Sequence, residues 1–279
     1  MGISVFDWGR EGRAAGRFAI IIPARFGSTR YPGKPLAMLT GADGRARTLI
    51  ERSWRAACAV AGADGVWVAT DDLRVAGVVR GFGGQVVMTS PECRNGTERC
   101  AQAARLLGLT HEIIVNFQGD APLTPAHVVE GVVAALARDP GAGMATAAMR
   151  CCARTYAYLC EEAAQGRTGG VCVVVDEAER ALYFSRRIVP FVPDGVADAH
   201  RRVRLHLGLY AYRAQALADY ARGEPCMLEE MEGLEQLRCL DRGVGVRVIS
   251  FDPDGPMVEL NNPQDVGVIE DLLVLQGVS

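Results

Sequence analysis

Apolar residues fall into short runs separated by polar, Gly-rich stretches, and the runs alternate between strand and helix periods. Phe18 to Ile22 is continuous and mostly β-branched, which suits a strand buried on both faces. Thr48 to Ala61 places Leu49, Trp54 and Ala57 at helical spacing. Val66 to Ala69 reads as a second strand ending at Thr70, Asp71 and Asp72, where an aspartate suits a helix cap. Val86 to Met88 is a third strand. The stretch NGTERCAQAARLLG reads as a helix that begins at Gly96 and Thr97, with Thr97 a candidate N-cap, and runs to Gly108. Ile113 to Phe117 is a fourth, buried strand leading into Gln118-Gly119-Asp120.

The second half is less regular. Helices are predicted over Val128 to Ala137, Leu228 to Leu240 and Pro263 to Leu275. Strands are predicted over Met144 to Met149, Val171 to Val175, Leu182 to Phe184, Leu205 to Tyr212 and Val246 to Ile249. His206 and Tyr210 share one face of their strand. Strands alternating with helices imply an α/β fold with a mostly parallel sheet. Ligands of such sheets collect beyond the carboxyl ends of the strands, where the loops at Arg25, at Thr70, and from Gln118 to Asp120 all fall. Residues 1–16 read as a loose tail and 17–279 as a single domain, with about 150–225 forming an inserted lid or subdomain.

Composition sharpens this picture at three points. Hydrophobic residues make up 49% of the 279, ample for one large core, and a net charge of −3 gives no general pull toward nucleic acid. No apolar run reaches the length of a membrane span, and residues 1–16 lack a signal-peptide core, so a cytoplasmic location is expected. The nine cysteines include no CxxC pair, and reduced, mostly buried thiols are expected. Of the thirty basic residues Lys34 is the only lysine, a bias that suits a GC-rich genome.

That lysine sits in IIIPARFGSTRYPGKPL, Ile20 to Leu36, where the first strand passes into a loop carrying Arg25, Gly27, Arg30 and Gly33. A strand ending in a glycine-containing cationic loop suits polyphosphate, because backbone N–H groups reach the oxygens and fixed cations neutralise them. Neither GxxxxGK[ST] nor GxGxxG is present. Asp120, a carboxylate at a strand end beside a glycine, is a candidate Mg²⁺ ligand, with a loop or cap aspartate as the plain alternative.

The opening loop resembles the signature of the 3-deoxy-manno-octulosonate (Kdo) cytidylyltransferases, and ordered strings extend the resemblance from Phe18 to Leu272. VNFQGDAP (Val115 to Pro122) is similar to the family's VNVQGDEP, and NGTER (Asn95 to Arg99) to SGTER. YFSR (Tyr183 to Arg186) and LEQLR (Leu234 to Arg238) match unchanged, and HLGLYAYR (His206 to Arg213) is similar to HLGIYGYR. The resemblance implies a Rossmann-like, glycosyltransferase A-like nucleotidyltransferase that joins CMP from CTP to an anionic acceptor, works with Mg²⁺, and pairs as a homodimer. It implies nucleotide contacts at Ala24, Arg25, Ser28, Lys34, Thr70, Asp71, Gly96, Thr97 and Gln118. It implies acceptor contacts at Arg99, Ser185, Arg186, His206, Tyr210, Glu235 and Gln236, with Arg25, Lys34 and Asp120 at the reacting phosphate.

The chain departs from the pattern twice. LNNPQDV (Leu260 to Val266) stands where the family has a VDTPEDL-like string, so Asn261 replaces a metal-binding aspartate and Glu259 or Asp265 is left to substitute. RTGGVCVV (Arg167 to Val174) replaces NPNxVKVV, with Cys172 at the lysine. A sugar hydroxyl must lose a proton before it attacks, and a second metal-binding carboxylate assists that. An acceptor already ionised needs less help, so the loss at Asn261 favours a phosphonate such as phosphonoformate, of natural-product biosynthesis, with Kdo as the alternative. Two other classes remain. Sugar-1-phosphate nucleotidyltransferases open with a GTR-rich loop, absent here, and a non-catalytic nucleotide-binding regulator would retain the pocket without turnover.

Overall fold

A computed structural model describes residues 17–27, 31–193, 196–252 and 259–279. The expected tail, 1–16, and Ser28 and Arg30 of the basic loop lie outside the described residues. In chain order the elements begin with β1 (Phe18–Pro23), β2 (Met38–Thr40), β3 (Ala46–Thr48), α1 (Leu49–Cys58), β4 (Ala63–Thr70), α2 (Leu73–Gly81) and β5 (Gln85–Met88). There follow α3 (Gly96–Leu106), β6 (Ile113–Asn116), α4 (Ala126–Arg138), β7 (Ala142–Arg150), α5 (Ala153–Ala164), β8 (Cys172–Val175) and β9 (Ala181–Ser185). The chain closes with β10 (Arg204–Arg213), α6 (Ala214–Arg222), α7 (Met227–Glu232), α8 (Leu237–Asp241), β11 (Gly245–Phe251) and α9 (Asp265–Leu275).

The main sheet runs β11-β7-β10-β6-β1-β4-β5, and only β10 opposes the common direction. β1 and β6 are the apolar runs that periodicity cannot split into faces, because helices cover both sides. On one face Ile20, Ile22, Val68 and Val115 meet α1, α2 and α4; on the other Ile21, Ile114, Met144, Tyr210 and Tyr212 meet α3, α6 and α8. Of the segment expected to form an inserted subdomain, β10 lies inside the main sheet between β6 and β7. The strands β8 and β9 extend from β10 as a ledge.

Three local expectations are corrected. The α3 cap is Asn95, whose Oδ1 accepts from the Glu98 N–H at 2.9 Å, so Thr97 lies within the first turn. The run Leu228 to Leu240 is two short helices, because Gly233 turns left-handed with φ 64° and ends α7. The free cysteines are less buried than expected: Cys100, Cys151, Cys172 and Cys239 are buried, whereas Cys58 and Cys152 are exposed. No described helix is long and apolar enough to cross a membrane.

Candidate active site

The parallel strands deliver their carboxyl ends to one edge, and backbone bonds continue the pairing into the loops beyond. The Ala24 N–H donates to Ala69 O at 2.8 Å, and the Phe117 N–H donates to Ile21 O at 3.0 Å. The basic loop is closed at its base by the Gly33 N–H donating to Phe26 O at 3.0 Å. Gly33 has φ 73°, and a side chain there would meet the Phe26 ring at 3.1 Å, so the turn requires glycine twice over. Arg74 stacks on the other partner of this contact, its guanidinium 3.5 Å from the Phe26 ring centre.

Gly33 aims Lys34 across the cleft, and its ammonium forms a half-buried ion pair with the Asp120 carboxylate. The backbone that bears Asp120 passes so close to β1 that a side chain on Gly119 would sit 2.9 Å from Pro23 O. Ser53 Oγ fixes the same turn by donating to Gly119 O at 2.9 Å. The Leu260 N–H then donates to Asp120 O at 2.9 Å, which brings Glu259 and Asn261 to either side of the turn. A side chain on Gly208 would meet Gln118 Cγ at 3.4 Å and Glu259 Oε1 at 3.6 Å, so both side chains lie against the backbone of β10. Asp265 is occupied elsewhere: its Oδ2 accepts from the Asn261 and Asn262 N–H groups at 2.9 and 2.7 Å, which fastens the start of α9.

Among the described residues no three His, Cys, Asp or Glu side chains converge as a metal cluster. The available donors are carboxylate and amide oxygens at one loop crossing. That set fits a hard cation such as Mg²⁺, which keeps most of its ligands as water and substrate phosphate.

The acceptor strings meet on the β10 side. The Tyr210 OH donates to Gln236 Oε1 at 3.2 Å, while the buried Gln236 Nε2 has no partner among the described residues. Glu235 Oε2 accepts from the Thr97 N–H at 3.1 Å, joining the LEQLR turn to the start of α3. His206 packs on Phe184 and Tyr210, with ring centres 4.9 and 5.5 Å away. Burial pushes the His206 imidazolium down to about 3, pushes the Tyr210 phenol well up, and raises the Glu235 carboxyl. All three shifts run toward the neutral form of the group.

Several of the predicted contact residues also hold one another or the surrounding elements in place. Arg99 is buried, with Nη1 donating to Thr89 Oγ1 at 2.6 Å and Nη2 to Asp71 Oδ2 at 3.0 Å. Thr70 is buried and its Oγ1 accepts from the Asp72 N–H at 3.3 Å, while Asp72 caps α2. The Thr97 hydroxyl lies within 3.1 Å of Tyr212 OH and accepts from Asn116 Nδ2 at 3.2 Å. Gln118 in turn donates to Asn116 Oδ1 at 3.4 Å. Ser185 Oγ and the Arg186 N–H both donate to Glu232, at 2.8 and 2.9 Å. Arg25 is exposed at the loop surface, Ala24 is buried in the core on the α1 face, and Gly96 lies against Pro23 at the end of β1.

Sequence reading missed the residue that locks the two acceptor-side segments together. Arg238 is fully buried, donates to Glu229 at 2.6 Å and to Glu98 at 3.0 Å, and stacks on Tyr220 at 4.1 Å. Its signal was present, since Arg238 ends LEQLR and Glu98 lies within NGTER.

A family model described as cytidylyltransferase matches residues 19–247. The 3-deoxy-manno-octulosonate cytidylyltransferase of Maricaulis maris (strain MCS10) is 43% identical over 260 residues, 92% of this chain and 97% of its own. The chain belongs to the Kdo cytidylyltransferase family. It is therefore a nucleotidyltransferase. The Zea mays protein of the same name is 40% identical over 265 residues, covering 95% of this chain and 82% of that one. A solved CMP:2-keto-3-deoxy-manno-octonic acid synthetase complexed with CTP has a TM-score of 0.80 and 34% identity, covering 94% of this chain and 100% of its own. The Rossmann-like nucleotidyltransferase sheet implied by the opening strings is thus the fold of this cytidylyltransferase.

Proposed function

We propose that this cytidylyltransferase transfers CMP from CTP to Kdo, releasing pyrophosphate. The observation that carries the reading is the pairing of two unlike groups: a cationic loop and carboxylate at Lys34–Asp120, and a neutral polar cluster at His206, Tyr210 and Gln236. An acidic polyol needs such a pocket, with donors for its carboxylate and partners for its hydroxyls. Relatives named for this reaction support the same acceptor.

The phosphonate acceptor expected from Asn261 is set aside in favour of Kdo. That expectation rested on the carboxylate lost at Asn261, with Glu259 or Asp265 left to substitute; the Leu260–Asp120 backbone bond brings the residue that follows Glu259 to the Asp120 turn. The relatives' names speak for a sugar acid.

The reaction is in-line attack by an acceptor hydroxyl oxygen on the α-phosphorus of CTP. The new O–P bond forms as the bond to pyrophosphate breaks, and the hydroxyl proton passes to water or a carboxylate. Arg25, Lys34 and the backbone N–H groups of the loop hold the triphosphate and neutralise charge that builds on the leaving oxygens. Asp120, with Asn261 and Glu259 beside it, would hold Mg²⁺, which supplies charge neutralisation and orients the phosphates when bound. In the free protein Lys34 satisfies Asp120, and the incoming phosphates give the ammonium a second anionic partner. Thr97 and Gly96, at the start of α3, close the cleft between nucleotide and acceptor.

A homodimer is part of the same proposal. Phe191 is 86% exposed and Leu182 59%, both within the β8–β10 segment; sedimentation velocity measures whether the chain pairs, and a Phe191→Glu variant whether that segment is the interface.

Incubation with CTP, Mg²⁺ and either Kdo or phosphonoformate, following pyrophosphate, tests the proposal. Release with Kdo is expected. Release with phosphonoformate alone would return the acceptor to a phosphonate, and CTP protection against unfolding with no pyrophosphate from either would make the chain a nucleotide-binding regulator.

A further inference from the structure

We propose that Thr146 is a positioning residue that fixes His206 in its Nε2–H tautomer, leaving Nδ1 as a lone-pair acceptor that selects a hydroxyl on the acceptor molecule. The inference rests on the Kdo reading above and names the polarity of one contact within it.

Thr146 lies on β7, the one hydroxyl within the buried run MATAAM, and is itself fully buried. Its Oγ1 is 2.7 Å from Leu209 O, 3.3 Å from Leu207 O and 2.9 Å from His206 Nε2. A carbonyl oxygen only accepts, and a threonine hydroxyl has one hydrogen. That hydrogen goes to Leu209 O, the shorter contact, in the irregular stretch where β10 shifts register against β7 between Leu207 and Tyr210. Toward His206 the hydroxyl therefore offers only a lone pair, and Nε2 must carry the hydrogen. The His206 ring is packed by Phe184 and Tyr210, and its burial opposes a second proton. The ring is left neutral, with Nδ1 its one acceptor, and Nδ1 makes no hydrogen bond among the described residues.

The neighbouring groups have the opposite polarity. Tyr210 spends its hydrogen on Gln236 Oε1, which leaves the buried Gln236 Nε2 a donor without a partner among the described residues. An acceptor on His206 and a donor on Gln236, both residues in contact with Tyr210, suit a molecule that carries both a hydroxyl and an anionic oxygen, the chemistry of a hydroxy acid. Phosphonoformate has no hydroxyl to give to Nδ1. Polarity at this pair, more than charge, separates the two classes of acceptor.

Nitrogen-15 spectra of histidine-labelled protein read the tautomer directly, with His206 assigned among the four histidines by its loss in His206→Asn. A neutral ring protonated on Nε2 at neutral pH is expected in the wild-type chain. A ring protonated on Nδ1, or on both nitrogens, overturns the proposal. Thr146→Val should raise the KM for Kdo about tenfold while the KM for CTP stays within about twofold, and Thr146→Ser should restore it. An unchanged KM for Kdo in Thr146→Val would equally overturn it. Absence of wild-type turnover with Kdo would sink the choice of acceptor instead, and the histidine spectrum would still decide the tautomer.

Discussion

The two halves of the cleft recognise their ligands by different physics. On the nucleotide side the groups are charged, partly solvated and carried on loops: Arg25 is exposed, and Lys34 and Asp120 are half-buried in one ion pair. On the acceptor side the groups sit on β10 and the Gly233 turn, are buried, and are held by hydrogen bonds and ring contacts. A triphosphate brings several charges and needs neutralising cations more than exact angles. A sugar acid brings one charge and many hydroxyls, and its selection depends on which atom donates and which accepts. Burial on the acceptor side sharpens that distinction by opposing the charged forms of His206, Tyr210 and Glu235.

Asp120→Asn breaks the nucleotide half most severely. Turnover should fall at least about a thousandfold, since the carboxylate that would hold Mg²⁺ against the triphosphate is lost while the shape is kept. Thermal unfolding should be little changed, and an Asn variant retaining most of its activity would remove Asp120 from the centre of the account. Arg238→Met breaks the acceptor half through its scaffold. Glu98 and Glu229 would be left buried without their shared cation, a loss of about 3–5 kcal/mol in stability. Chemical denaturation measures it, and a loss below about 1 kcal/mol would show that the triad is solvated in practice.

Gly33→Ala is a milder test of the phosphate loop. The left-handed φ and the nearby Phe26 ring together should cost about 1–2 kcal/mol, mostly as a raised KM for CTP with the KM for the acceptor unmoved. The smallest effect is the acid dependence of stability. His206 has a folded pKa near 3 against an ordinary 6.5, so its burial favours folding fully above 6.5. As pH falls from 6.5 toward 3 the unfolded chain takes up a proton that the folded chain refuses, and that contribution is lost. In His206→Asn the decline over this window should be shallower; an identical profile would mean that His206 ionises in place.

Much of the nucleotide half was legible in the sequence, and less of the acceptor half. The apolar run of β1, the loop ending at Lys34 and the turn at Asp120 are local, and their chemistry follows from residues adjacent in the chain. The acceptor half depends on partners far apart in sequence. Arg99 reads as a ligand-facing cation, yet its partners Asp71 and Thr89 turn it into a brace. Helical periodicity over Leu228 to Leu240 survives on both sides of Gly233, so the break that presents Glu235 and Gln236 shows only in the backbone. Thr146 is silent in sequence because a single hydroxyl among alanines gains meaning only when β10 lies against it. The helix α5 and the β2–β3 hairpin escaped for a simpler reason: α5 buries little beyond Leu159, and β2 and β3 are each three residues long.

The most direct measurement is the pair of Michaelis constants in two crossed variants, Lys34→Met and Gln236→Leu, with CTP and Kdo as substrates. The account predicts that Lys34→Met raises the KM for CTP and spares that for Kdo, while Gln236→Leu does the reverse. If either variant moved both constants by the same factor, the division of the cleft into a charged half and a neutral half would be wrong.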